Sequence, residues 1–509
     1  MSGITRRKFL KQTATGIVAA GLPMTVLAGS PADKAGGTMK ATDVLGHFGL
    51  DEKTIKEVMA EAMSRGGDYC DLYFEHGMAS YVGLEDKAVN RAYTSVDLGV
   101  GIRVLKGDQT GYSFTEELTP KAMKLAASTA ANIADGTSGT PPLALKLHDV
   151  PDYYPTKRSW EDVRIGEKIP SLQRINDKVF SLDKRIIKSS IWFVDSSSHV
   201  LVATSEGRIT YDYRPMALLM VNCIAEQDGE REQNGFNLSG RYGMEFFTPE
   251  TETRLATEAV QRTVMQFDAV KPEAGEMPVV LAPGFSGILL HEAIGHGMEA
   301  DFNRKKVSIF ADKVGKPVAE SFVNIVDDGT NPHLRGSLNV DDEGNDTEQT
   351  YLVENGVLKG YLHDRISAAH YGVKPTGNGR RQSFRYAPMP RMRNTYMLPG
   401  PHKPDEIIAS VKKGLYAESF TNGQVLIGAG DFTFYVKTGF LIEDGKLTRP
   451  IKDVNIIGHG PDVLSKIVMV GDDLKIHAGG GTCGKHGPGV PVPTGLPPGK
   501  VSAITVRGA

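Results

Sequence analysis

Two histidines and a glutamate stand close together in the stretch HEAIGHGMEAD, which begins at His291. In the zinc-site pattern HExxH, two histidines four positions apart share one face of a helix with the glutamate beside them. Here the spacing is one residue longer, so His291 and His296 would lie about 140° apart on a regular α-helix. A single π-type turn absorbs one extra residue and would return both imidazoles to one face. We therefore predict a metal-binding helix with such a turn.

Two glycines accompany the motif, Gly295 inside it and Gly297 directly after it. Glycine weakens a helix interior, but it gives the backbone more conformational freedom than any other residue. We expect these glycines to permit the deformed turn. The alternative is a buried helix whose histidines only form hydrogen bonds.

A third ligand is needed, because a catalytic zinc usually has three protein ligands and an open position for water. Glu299 and Asp301 follow in the same segment, although both carboxylates can instead face solvent. Cys483, in the glycine-rich stretch GGGTCGKHG, is the better candidate. A lone cysteine in an exported protein is prone to oxidation, and a metal would hold and shield its thiolate. His477 and His486 are rival ligands in the same region.

Several further motifs accompany these residues along the chain. They are VDDGT at 326–330, GSLNVDDEG at 336–344, GNGRR at 377–381 and PMPRMRNTYM at 388–397. Together with the histidine and cysteine motifs, they make the chain resemble the TldD/PmbA (TldD/TldE) zinc metalloprotease family over nearly all of its length. Because the histidine motif is intact, the chain resembles the active TldD-type subunit. The resemblance implies that His291, His296 and Cys483 bind Zn2+ and that Glu292 is the catalytic general base.

The resemblance also implies a substrate class and a partner. The expected reaction is hydrolysis of small or unfolded peptides, and the expected assembly is a homodimer or a heterodimer with a TldE/PmbA-like paralogue. The alternative function is a non-catalytic partner or binding subunit of such a complex. A redox role for Cys483 is disfavoured, because no second cysteine lies nearby in the sequence to resolve an oxidised sulfur.

Arginines near the later motifs are candidates for a supporting role. They can stabilise the oxyanion of the reaction or bind a peptide carboxylate, since guanidinium groups pair with oxyanions in two-pronged geometry. The alternative is a structural set of salt bridges. The four residues are Arg380, Arg381, Arg391 and Arg393. The sequence identifies no substrate-binding residue beyond these candidates.

Hydrophobic periodicity and turn signals predict the elements that position these residues. The fold class is α+β, with N-terminal α/β-type domains followed by a large β-rich C-terminal domain that carries the HExxxH helix. Asn-Gly and Asp-Gly pairs at 355–356 and 444–445 predict two hairpins there. The predicted limits are a signal peptide at 1–29, an N-terminal α+β domain at 40–137, a linker at 138–158, a central α+β domain at 159–270 and a β-rich metalloprotease domain at 271–509.

The first residues predict export. Arg6 and Arg7 precede a short apolar stretch at 16–27, which ends in small residues. This order is typical of a twin-arginine signal peptide and predicts a periplasmic or extracytoplasmic location, with membrane contact only transiently during export. An uncleaved anchor is the alternative, although the apolar run is short for a span. The net charge of −3 and the absence of a basic stripe predict no nucleic-acid partner.

Overall fold

Most of the chain is described by the computed structural model, namely residues 40–136, 141–426 and 429–508, with the side chains of 422 and 424 left aside. The predicted signal peptide, residues 1–29, lies outside the described residues. None of the helices in the described ranges is both long and apolar enough to cross a membrane. The α-helices are α1 Ala41–His47, α2 Glu52–Met63, α3 Pro120–Ala131, α4 Ile165–Leu182, α5 Pro249–Val264, α6 Ile288–Leu290, α7 Ala300–Arg304, α8 Arg365–Tyr371, α9 Pro404–Ala409 and α10 Gly460–Ser465.

One antiparallel sheet runs through both predicted N-terminal domains. Its strand order is β3-β2-β1-β5-β6-β4, and β7 also pairs with β6. Helices α2 and α3 cover one part of the sheet, and α4 and α5 cover another, each with its own apolar core. The strands are β1 Tyr69–Glu85, β2 Ala88–Lys106, β3 Gln109–Thr115, β4 Lys146–Leu147, β5 Ile186–Thr204, β6 Arg208–Gln227 and β7 Glu230–Gly240.

The described part of the predicted linker, residues 141–158, is packed on this sheet. Its strand β4 pairs in parallel with β6. Tyr154 is buried and donates a hydrogen bond of 2.7 Å to Asp212. The segment is therefore held along its length, and the predicted domain limits stay predictions.

The C-terminal half contains a closed ring of strands. β15 pairs with β8, β8 with β24, β24 with β18 and β18 with β16, and pairing of β16 with β15 completes the ring. β17 and β19 extend it. The strands are β8 Gly275–Leu281, β15 Lys413–Leu426, β16 Asp431–Glu443, β17 Lys446–Pro450, β18 Val454–His459, β19 Ile467–Val470 and β24 Gly499–Gly508.

A second sheet and two short hairpins complete the C-terminal half. The sheet has the order β11-β10-β9-β14-β23-β20. Its strands are β9 Ile325–Asp328, β10 Gln349–Glu354, β11 Val357–Leu358, β14 Thr395–Met397, β20 Lys475–His477 and β23 Thr494–Leu496. The short pairs are β12 Gly379–Arg380 with β13 Met389–Pro390, and β21 Thr482–Gly484 with β22 Gly489–Pro491.

Both predicted hairpins are present, and the predicted fold class is confirmed. Asn355 and Asp444 have φ angles of 50° and 48°, and each is followed by a glycine at 76°. Positive φ at both central residues is the turn that matches the twist of two antiparallel strands. The turns join β10 to β11 and β16 to β17.

Buried ion pairs join the first sheet to the C-terminal half. Arg103 on β2 lies 2.5 Å from Asp71 on β1 and 2.6 Å from Glu343 of the C-terminal half. Arg381 reaches Asp71 across the same boundary at 3.2 Å. All four side chains are fully buried. We call Asp71, Arg103, Glu343 and Arg381 the interdomain ion-pair cluster.

Candidate metal centre

The histidine motif follows strand β8 through a series of short helical turns. A 3₁₀ turn at Phe285–Gly287 and the turn α6 lead into a π-helix at His291–Gly295, and a 3₁₀ turn at His296–Met298 follows. The predicted π-type turn is therefore confirmed. It returns both imidazoles to one side, where the ring centroids of His291 and His296 lie 5.1 Å apart.

Close packing explains the glycines in this motif. Gly295 has an ordinary helical φ of −56°, so the expected backbone freedom is not what this position uses. A Cβ atom there would lie 2.1 Å from Met392 Sδ, and one at Gly297 would lie 2.7 Å from Phe310 Cδ2. We expected Gly295 to permit the deformed turn through its backbone freedom, and this explanation is wrong. Glycine is needed there because buried neighbours approach the turn too closely for a side chain.

The thiol of Cys483 meets the two imidazoles although it lies far away in the sequence. Cys483 is on β21 of the hairpin β21–β22, and its Sγ lies 3.3 Å from His296 Nε2. One ligand atom from each of His291, His296 and Cys483 can be chosen so that all three lie within 4.8 Å of one another. All three residues are buried. The structure thus brings together the three residues predicted from the sequence.

The chemistry of these donors fits a zinc ion. His291 Nδ1 is buried and has no hydrogen-bond partner among the described residues. Burial alone would raise the pKa of the Cys483 thiol, but His291 and His296 outweigh it and hold that pKa well below its usual range. Imidazole and thiolate are both ligands that zinc accepts, and three protein ligands leave its fourth position open.

Glu299 and Lys485 hold His296 in place. Glu299 Oε2 lies 3.0 Å from His296 Nδ1, so Nε2 is the nitrogen that faces the thiol. Lys485 donates to Glu299 at 2.9 Å and to Asp301 at 2.7 Å. Burial would raise the pKa of Glu299, but the charges of Lys485 and His296 lower it to about 2. A carboxylate on the second nitrogen of a ligating histidine fixes its tautomer and orientation.

Glu292 lies beside the three donors and is more open to solvent than they are. Its Oε2 is 3.9 Å from His296 Nε2, and its side chain is 20 % exposed. The side chain of His296 is only 5 % exposed. The Glu292 carboxylate is therefore more accessible to solvent than the buried donors beside it.

Three family profiles match the chain and together span most of it. They are described as PmbA/TldA metallopeptidase domain 1 at residues 70–134, the central domain at 158–267 and the C-terminal domain at 274–508. A "Metalloprotease TldD homolog" of Haemophilus influenzae is 38% identical over 466 residues, which cover 90% of this chain and 97% of the relative. The chain belongs to the PmbA/TldD metallopeptidase family.

Other relatives agree in name and in fold. A "Zinc metalloprotease TldD homolog" of Saccharolobus solfataricus is 30% identical over 453 residues, or 88% of this chain and 98% of the relative. TldE from Thermococcus kodakarensis has the same fold, with a TM-score of 0.69 and 19% identity over 89% of this chain and 99% of that one. A structure from Thermotoga maritima, named as a candidate modulator of a DNA gyrase, has a TM-score of 0.72 and 22% identity over 90% and 100% of the two chains. The names of the sequence relatives support a metallopeptidase at the level of class.

The structure does not bring the rival ligands of this PmbA/TldD family member into the cluster. His477 is partly buried against the ring of Phe285, with centroids 4.8 Å apart, and desolvation lowers its pKa to about 3. His486 is exposed beside Phe302. The carboxylates of Glu299 and Asp301 do not join the three donors, and they do not lie free in solvent. Both accept hydrogen bonds from the buried Lys485.

Two of the four candidate arginines serve the framework of this family member. Arg391 donates to the backbone carbonyl of Cys483 and, at 3.2 Å, to that of Pro488. Arg393 binds Asp327 at 2.8 Å. Both arginines are fully buried, so the structural alternative describes them. Sequence reasoning missed Lys485 and the support that Glu299 gives to His296, although Glu299 lies one helical turn after that histidine.

Proposed function

We propose that this chain is a zinc-dependent peptidase that hydrolyses small or unfolded peptides. The observation that carries the proposal is the convergence of His291, His296 and Cys483 from two distant segments within 4.8 Å. The metalloprotease names of sequence relatives support the class, and one of those names specifies zinc.

The roles of the residues follow from their positions. When bound, zinc would lower the pKa of a water molecule toward neutrality and polarise the scissile carbonyl. Glu292 has the exposure and the position to take a proton at its Oε2 and to return it to the leaving amine. Glu299 and Lys485 keep His296 Nε2 directed at the site. The burial of the donor set favours extended peptides over folded proteins.

A partner and a location belong to the same proposal. The chain acts as a dimer, with a second copy or with a TldE/PmbA-like paralogue, and the family resemblance and the fold shared with TldE support this assembly. Arg6 and Arg7 support export by the twin-arginine route. Light scattering of the purified chain, alone and with such a paralogue, tests the assembly. Fractionation of cells that express the chain with Arg6→Lys and Arg7→Lys tests the export route.

Zinc content and peptide cleavage test the reaction. We expect close to one zinc per chain and cleavage of an unstructured peptide by the wild type. Glu292→Gln keeps the zinc and loses cleavage, because a carboxamide cannot accept the proton. Glu320→Gln, at an exposed glutamate, is the matched control and keeps both properties. Cleavage that persists in Glu292→Gln refutes the assigned base, and a wild type without zinc favours a non-catalytic subunit.

A further inference from the structure

A cavity of about 300 Å³ lies between the first sheet and the C-terminal half. Five arginines contribute to its wall, against two carboxylates, those of Glu75 and Asp342. Positive charge is therefore in excess along this wall. The arginines are Arg214, Arg241, Arg335, Arg380 and Arg381.

Three of these arginines have no carboxylate partner among the described residues. Arg335 donates to the Gly481 carbonyl at 2.9 Å and to Ser239 Oγ at 2.7 Å, which are both neutral acceptors. Arg380 donates to two backbone carbonyls, those of Met392 and Pro491, at 2.5 Å and 2.9 Å. These bonds satisfy some of the guanidinium hydrogens, whereas the carboxylates that attract Arg380, those of Asp342 and Asp327, form no ion pair with it among the described residues.

Arg241 is the least satisfied of the three. Its one hydrogen bond is a long contact of 3.5 Å to the Pro215 carbonyl, and its Nε has no partner among the described residues. The guanidinium stands 5.0 Å from the ring centroid of Tyr154. Arg241 is only 3% exposed. Asp212 and Asp342 attract this charge without an ion-pair contact among the described residues, and a buried charge that lacks a contacting counter-charge is costly.

The proximity of these cations to one another adds to this cost. Burial, followed by repulsion from Arg241, lowers the pKa of Arg335 to about 10. Burial is also the main cause that lowers the pKa of Arg380 to about 9. Both groups remain cationic at neutral pH. An anion in the cavity would relieve burial and repulsion at once.

The cavity adjoins the hairpin that carries the metal-site cysteine. Arg335 binds Gly481 at the start of hairpin β21–β22, and Arg380 binds Pro491 at its end. Pro491 is itself part of the cavity wall. Resting on the proposed function, we propose that this cavity binds the C-terminal carboxylate of a peptide whose scissile bond lies at the metal centre. Guanidinium groups bind carboxylates in two-pronged geometry, so Arg241, Arg335 and Arg380 are its specificity-determining residues.

A binding experiment without turnover tests this inference. The full chain carrying Glu292→Gln and loaded with zinc is titrated in a calorimeter with acetyl-Ala-Ala-Ala as the free acid, with its amide and with inorganic phosphate. We expect the acid to bind at least about tenfold more tightly than the amide, a difference of about 1.4 kcal/mol. Adding Arg241→Met removes most of that difference. Adding Arg231→Met, at an exposed arginine paired with Glu226, leaves it intact.

Each other result overturns a defined part of the inference. Equal affinity for acid and amide, or a preference that survives Arg241→Met, shows that the cavity does not read the carboxylate. Binding of phosphate alone, with loss in Arg241→Met, shows that the cavity holds a free anion and refutes the peptide assignment. If the wild type cleaves peptides while the Glu292→Gln chain binds acid and amide with equal affinity, only this inference is overturned. Preference for the acid in a chain that cleaves nothing overturns the proposed reaction only.

Discussion

Two buried polar clusters of this molecule differ in what their groups face. In the interdomain ion-pair cluster, Arg103 lies between the carboxylates of Asp71 and Glu343, so opposite charges neutralise each other. In the metal centre, ligand atoms of two imidazoles and one thiol converge within 4.8 Å of one another, an arrangement that can hold an ion.

The difference shows that burial of polar groups does not by itself indicate chemistry. Proteins pair nearly all of their buried polar groups, so a paired cluster is explained by the fold. Metal-ligating atoms that converge on one point can instead hold an ion from outside the chain. By this criterion the metal centre and the arginine-lined cavity are functional candidates, and the interdomain ion-pair cluster is a structural joint.

The largest effect is expected from removal of the thiol. Cys483→Ala deletes one of three donors, and we expect zinc to be lost and peptide cleavage to fall to background, because two histidines do not complete a catalytic site. Zinc per chain is measured by elemental analysis after dialysis. Circular dichroism should show that the fold is kept.

A second buried cysteine provides the control for this change. Cys223 lies on β6, and burial raises the pKa of its thiol to about 12. Cys223→Ala removes the same group from an apolar core and should keep zinc and cleavage. Equal zinc content in Cys483→Ala and Cys223→Ala would place the metal elsewhere. The metal centre would then no longer differ in kind from the interdomain ion-pair cluster.

The next effect is expected on stability. Arg103→Met leaves the buried carboxylate of Glu343 without its cation and that of Asp71 with Arg381 alone, and such a change costs about 3–5 kcal/mol. The free energy of unfolding in urea measures it. Arg385→Met removes a partly exposed arginine from its pairs with Asp97 and Glu116 and should cost less than about 1 kcal/mol. Equal costs would show that the cluster does not hold the two halves together.

Local patterns in the sequence predicted the parts of the molecule that local physics controls. The spacing of His291 and His296 requires an extra residue per turn, and the π-helix supplies it. The Asn355 and Asp444 turns depend only on residues that tolerate positive φ. Thr119 accepts a hydrogen bond from the backbone of Ala122 as an N-cap, with proline next to it. Each of these features is determined within a few residues.

Features that depend on distant contacts could not be predicted in the same way. Arg391 binds the Cys483 carbonyl across 92 positions of sequence, and Lys485 binds Glu299 across 186. Nothing near these residues distinguishes a framework arginine from one that faces a ligand. The closed ring of strands also depends on pairings between distant segments, such as β8 with β24, which sequence periodicity does not specify.

A smaller effect tests how the metal centre is held. Glu299→Gln keeps the shape of the side chain but removes the charge that faces His296 and Lys485. Zinc affinity should fall about 10–100-fold, as it does when the partner of a ligating histidine is changed. Competition with a chromophoric chelator measures the affinity. Glu252→Gln, at a glutamate that pairs with Arg174, should leave zinc affinity unchanged. An unchanged affinity in Glu299→Gln would assign that carboxylate to packing alone.

The smallest effect concerns pH and separates two carboxylates. Lys485 and His296 lower the pKa of Glu299, whereas burial raises the pKa of Glu75 from 4.5 to about 7 although Phe384 and Ser198 donate to it. Glu75 therefore binds a proton in the folded chain that the unfolded chain releases, so its contribution to stability is complete below about pH 4.5 and is lost as the pH rises through 7. Between about pH 5 and about pH 7, the wild type should lose about 2 kcal/mol of unfolding free energy relative to Glu75→Gln, as urea titrations at each pH measure. Parallel curves for the two proteins would show that Glu75 is ionised throughout, like Glu299.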